Sequence, residues 1–129
     1  MRFVLFLVAA APIFATPVAA KTVAILQGLD KITARISRIE APVDSPVRFG
    51  TLTILVRACK KRPPEEPPES AAFLEIEEKR PGDTATRPIF SGWMFASSPA
   101  LSAIEHPVYD IGVLDCLETS EGEEPKKAE

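Results

Sequence analysis

The chain has 129 residues, 15 basic and 18 acidic side chains, and a net charge of −3 at pH 7. That length supports one domain with a modest core. The mild acidity excludes the basic excess by which nucleic-acid binders are known, so no nucleic acid is expected as a partner.

Met1 and Arg2 open the chain with positive charge, and an apolar run follows from Phe3 to Ala11. Residues 12–20 then end in Val18, Ala19 and Ala20. This is the three-part layout of a secretory signal peptide, with cleavage after Ala20. The apolar run falls short of the roughly 20 residues a membrane span requires. Cleavage would take Arg2 and no acidic group, moving the net charge from −3 to about −4. The expected product is an exported, periplasmic β domain over 21–117, followed by a disordered polar tail over 118–129.

The first strand is predicted at Thr22–Gln27, with a turn over Gly28–Lys31. The next run alternates, with Ile32, Ala34 and Ile36 sharing the face assigned to the core, and Thr33, Arg35 and Ser37 the other. Gly50 supplies a turn before the strongest strand, Thr51–Cys59, where Leu52, Ile54, Val56 and Ala58 are in phase. Residues 60–70 follow as a proline-rich connector. Four prolines favour a stiff, extended polyproline conformation. Its opening charges, Lys60, Lys61 and Arg62, suit a rim contact with an acidic partner or a peripheral contact with lipid phosphates.

Ala71–Glu77 reads as a strand with Ala72, Leu74 and Ile76 inward and Glu75 and Glu77 in water. Ile89–Ala96 has large apolar residues on both faces, so it is either buried twice or buried once and open to contact on the other side. Ser98-Pro99 resembles an N-cap and first helical residue, and Pro107 stops the segment, which predicts one short helical turn. Tyr109–Cys116 is the last strand. Short strands at this spacing define the fold class: all-β, a small antiparallel sandwich or barrel.

Cys59 and Cys116 are the only cysteines. In an exported chain they pair, closing a loop worth roughly 4 kcal/mol in the chain-entropy model; the alternative is two buried free thiols. Cys59 is in phase with Leu55 and not with Ile54 and Val56, which sets the bridge off the main core. Without a C-x-x-C motif, thiol exchange is not indicated. His106 is the single histidine, so no metal or cofactor is implied. Ser97, Ser98 or Ser102 with His106 and Asp110 could form a triad only by chance order, since no nucleophile elbow surrounds them. His106 beside Pro107 reads instead as a turn residue. For contact, the chosen residues are Trp93, Met94, Phe95 and Tyr109, types favoured as interface anchors.

Several longer words occur in an order that carries a resemblance: Arg48-Phe49-Gly50-Thr51-Leu52, Val56-Arg57-Ala58-Cys59, Phe90 through Ser102, His106 through Asp110, and Val113-Leu114-Asp115-Cys116. Together they resemble a family of small exported alphaproteobacterial proteins classed as a domain of unknown function. Ile111-Gly112 departs from it, standing where a bulkier pair is expected. The resemblance implies an accessory subunit on the periplasmic face of the respiratory NADH:ubiquinone oxidoreductase, hence a non-catalytic protein docked on a larger membrane-bound complex. The runner-up is a soluble cell-envelope protein that stacks aromatics on polysaccharide. A hydrolase comes third, and would lose turnover on changing His106 or Asp110.

Overall fold

The computed structural model describes residues 11–14 and 20–120, and builds the second stretch into seven strands and one short helix. The strands are β1 (Ala20–Asp30), β2 (Arg35–Pro42), β3 (Val47–Phe49), β4 (Leu52–Lys61), β5 (Ser70–Glu78), β6 (Arg87–Phe95) and β7 (Tyr109–Ser120). They form two antiparallel sheets, a three-stranded one ordered β2-β1-β7 and a four-stranded one ordered β3-β4-β5-β6. Of the two architectures expected, this is the sandwich. The expected leader, 1–20, lies almost wholly outside the described residues. So does the tail beyond Ser120, but Glu118–Ser120 belongs to β7 and pairs with Ala20–Thr22, so the strand runs past the expected boundary at 117.

One core fills the space between the sheets. Ala24, Leu26, Ala41, Ile111 and Val113 reach it from the three-stranded side, and Leu52, Ile54, Val56, Ala72, Leu74, Ile76 and Met94 from the other. The period of two is what delivers them: on β4 and β5 alternate residues are buried. The predicted helical turn is a 3-10 helix, Pro99–Ser102, with Pro99 opening it and Ser98 at the N-cap making no side-chain cap bond.

Two expectations about the first hairpin fail. The chain turns at 31–34 rather than 28–31, because Asp30 Oδ1 accepts the N–H groups of Ile32 (2.9 Å) and Thr33 (3.2 Å), and Ala34 takes a positive φ of 55°. Gly28 lies inside β1, where a Cβ would collide with Phe49 and Ile39; its smallness serves packing, not turning. The two faces of β2 are also exchanged. Ile39 and Ala41 point to the core, whereas Ile32 and Ile36 are 76% and 65% exposed.

Bulges reset the phase in three strands. Arg57 has no partner on β5, so Ala58 pairs with Phe73 on the outer face and Cys59 pairs with Ala72 on the inner one. Ala58 therefore leaves the core phase predicted for it, and Cys59 enters. β7 is bulged at Leu114 and β6 at Ile89.

Candidate functional site

β5 continues its buried phase one step too far. After Ala72, Leu74 and Ile76 comes Glu78, a carboxylate 1% exposed. A buried charge is tolerated only when its lone pairs are satisfied, and here they are. Thr51 Oγ1 donates to Oε2 at 2.9 Å. His106 Nε2 donates to the same oxygen at 2.5 Å. Arg80 Nε and Arg87 Nη2 donate to Oε1 at 3.0 and 2.8 Å. Burial pushes the carboxyl up, but the bonds from His106, Thr51 and Arg87 outweigh it and hold Glu78 down at about 2.

His106 is itself fully engaged. Its Nδ1 accepts the N–H groups of Val108 (3.0 Å) and Tyr109 (3.1 Å). That leaves Nε2 as the protonated nitrogen, the one directed at Glu78. The Tyr109 ring lies alongside, its centroid 5.2 Å from the imidazole, and Lys31 Nζ donates to the His106 carbonyl at 3.0 Å. Thr51 and His106 both address the carboxylate, and neither ring nitrogen addresses a hydroxyl. The cluster joins the start of β4, the end of β5 and the entry to β7. Its geometry suits a structural tie. None of Ser97, Ser98 and Asp110 is a partner of the imidazole, whose nitrogens are taken by Glu78 and the backbone; the Ser102 side chain lies outside what the structure describes. Ser97 instead bonds Glu69, through its N–H at 3.1 Å and through its hydroxyl. Those bonds, with help from Ser70 N–H and Arg62, hold the Glu69 carboxyl below the usual range.

Cys59 and Cys116 form the disulfide, Cα–Cα 5.7 Å, tying β4 of one sheet to β7 of the other. Beside it runs a groove of about 800 Å³ between the β4–β5 loop and the end of β7. Lys60, Lys61 and Arg62 line it. Lys61 is committed to Asp115 (Nζ–Oδ1 2.9 Å). Burial raises the Asp115 carboxyl, and the bonds from Lys61, Cys116 N–H and Ser70 more than reverse that. The proline-rich segment does connect two strands, but as a hairpin loop and not an extended arm. β4 and β5 pair up to Lys61 and Ser70, Arg62 N–H reaches the Glu69 carbonyl at 3.0 Å, and Glu66 N–H turns back on Pro63 at 3.1 Å.

The four residues chosen for contact separate. Trp93 lies on the outer face of the four-stranded sheet, 39% exposed, edge-on to Phe73 with centroids 5.6 Å apart. Across the sheet Ala58, Phe73 and Trp93 are successive partners, with Ala71 and Phe95 the next pair along. Phe95, half-buried, thus shares this face. Met94 does not: it is 3% exposed and part of the core, because alternation on β6 turns it inward opposite Ala72. Tyr109 is likewise turned inward, packed on Phe49 at 5.3 Å and on His106. β6 is therefore buried on one side and open on the other. Sequence reasoning missed Glu78 altogether, although its even number in the run 72-74-76-78 placed it on the core face.

No solved structure matches the chain. A curated relative, "Uncharacterized protein RP359" of Rickettsia prowazekii (strain Madrid E), is 33% identical over 89 residues, 69% of this chain. The chain spans 57% of that relative's own length. A family model described as "Uncharacterized protein conserved in bacteria (DUF2155)" matches residues 24–116, from the core of β1 to the disulfide on β7. On this match and this relative, the chain belongs to the DUF2155 family.

Proposed function

We propose that this is an exported, non-catalytic protein that docks on a larger membrane-bound assembly in the periplasm. The assembly that the resemblance implies is the respiratory NADH:ubiquinone oxidoreductase. One observation carries the reading: the apolar row of Ala58, Phe73 and Trp93, with the Phe73–Trp93 aromatic pair on the outer face of a rigid sheet and Trp93 39% exposed. Aromatics presented on a fixed backbone lose little conformational freedom on binding and are favoured as anchors. A charged margin surrounds the row. Arg57, bonded to Asp44 (3.4 Å) and Glu75 (3.3 Å), lies on one side, and Lys60 on the other.

Two further features support it. A disulfide between the sheets fits an oxidising compartment. The one buried acid–histidine pair has every donor and acceptor occupied by the fold itself, which favours surface action over chemistry. The test is capture of the tagged protein from detergent-solubilised membranes. Subunits of the oxidoreductase recovered in a fixed ratio are the expected result. Recovery only as a soluble protein, free of membrane-complex subunits, contradicts the reading.

A further inference from the structure

Among the described residues, four strands form the edges of the two sheets: β2 and β7 in one, β3 and β6 in the other. Natural sheets protect edges by interrupting them, with short strands, bulges and prolines, or by placing charges on them. Three of these edges are interrupted. β3 has three residues, β7 is bulged at Leu114, and β6 is bulged at Ile89 beside Pro88. β2 is not interrupted along Arg35–Ala41: its pairing with β1 runs unbroken from Asp30↔Arg35 to Val23↔Pro42, and its guard is charge, at Arg35, Arg38 and Glu40, which admits only a partner of complementary pattern.

The direction of its free hydrogen-bonding groups follows from the ladder. Val43 N–H bonds the Thr22 carbonyl at 3.0 Å. By alternation, the odd residues of β2 face β1, and the N–H and C=O groups of Ile36, Arg38 and Glu40 point away from the sheet. Pro42, next in phase, has no N–H and its carbonyl accepts Ser45 N–H at 3.1 Å, so it ends the series. The side chains of these same residues lie together on the outer face, with Ile36 65% exposed.

We propose that β2 pairs antiparallel with β2 of a second copy of this chain, about a two-fold axis through Ile39. In that register Arg38 of one copy stands opposite Glu40 of the other, twice, and Ile36 stands opposite Pro42. The backbone groups of Arg38 and Glu40 satisfy one another on both sides of the axis, and the seam ends at Pro42, whose carbonyl is held by Ser45 N–H. Charge pattern selects this register: shifting it by one hydrogen-bonded pair puts Arg38 against Arg38 or Glu40 against Glu40, and like charges directly opposed are unfavourable. The pairing joins two three-stranded sheets into one and covers Ile36, which the isolated fold leaves in water. A self-complementary patch on a two-fold axis is the usual geometry of a homodimer. It leaves the Trp93 face open, so it is independent of the docking reading.

A seam of one strand is short, which places dissociation in roughly the micromolar range. Sedimentation of the oxidised protein, purified from the cell in the form in which it accumulates, from about 1 to 500 µM should show a monomer–dimer equilibrium. Arg38→Glu or Glu40→Arg alone should weaken dimerisation about tenfold or more, and the two together should restore it. In the dimer, amide exchange at Arg38 and Glu40 should slow with concentration. A monomer at every concentration, a dimer indifferent to the single reversals, or a double variant no better than the singles overturns the proposal.

Discussion

Glu78 ends β5 with one oxygen shared by Thr51 and His106 and the other by two arginines. Its carboxyl is held at about 2 in the fold, below an ordinary 4.5. A carboxylate depressed in the folded state contributes stability that is complete above the unfolded pKa and disappears as pH falls through the folded one. The window is thus from 4.5 down to about 2, and the contribution is roughly 3 kcal/mol. Glu78→Gln removes the charge while nearly preserving shape. We expect it to lower stability by roughly 2–4 kcal/mol at neutral pH, read by urea unfolding. The same variant should show a flatter dependence of stability on pH across that window. Gly50 is a second single-residue constraint. Its φ is +57°, and a Cβ there would strike the Tyr109 ring. Gly50→Ala should cost roughly 1–3 kcal/mol by thermal melting.

At the scale of elements, alternation and apolar runs mark every strand but the three-residue β3, and the 3-10 turn at Pro99–Ser102 is legible from Ser98-Pro99 and Pro107. What alternation left open was phase. In β2 both faces carry apolar residues, so the period was legible but the buried side was not; Ile39 and Ala41 face inward and Ile36 outward. In β4 a bulge at Arg57 breaks the count, and only the ladder to β5 shows that Cys59 rejoins the core side. The proline-rich segment suggested an extended arm because local preference was read without the strand pairing that closes it as a hairpin loop. Glu78 escaped notice for a related reason: a charged side chain at a core position makes sense only with partners from Thr51 and His106, which are 27 and 28 residues distant. The disulfide, readable from two cysteines only together with the expected export of the chain, links the two sheets. Replacing Cys59 and Cys116 with serine should cost roughly 4 kcal/mol out of a total of about 5–15, measured by chemical denaturation.

At the scale of the whole molecule, the two sheets present different surfaces. The four-stranded sheet carries Trp93 over Phe73, and the three-stranded one offers the open edge of β2. Both can be used at once, one copy against its twin and each against a larger assembly. Of the residues read as contacts, Trp93 and Phe95 share a face, while Met94 and Tyr109 belong to the interior. Trp93 therefore separates docking from folding. Its contact with Phe73 is worth about 0.5–1.5 kcal/mol beyond the area it buries, and Trp93 stands on the outer face, apart from the core between the sheets, so Trp93→Ala leaves a folded protein. The measurement that bears most directly on the function is recovery of this variant, beside the native chain, in the oxidoreductase fraction of solubilised membranes. The account predicts native protein in that fraction, the variant absent from it, and a cooperative melting transition for both, the variant lower by roughly 10 °C. Equal recovery of both, or absence of the native protein from the membrane fraction, would contradict it.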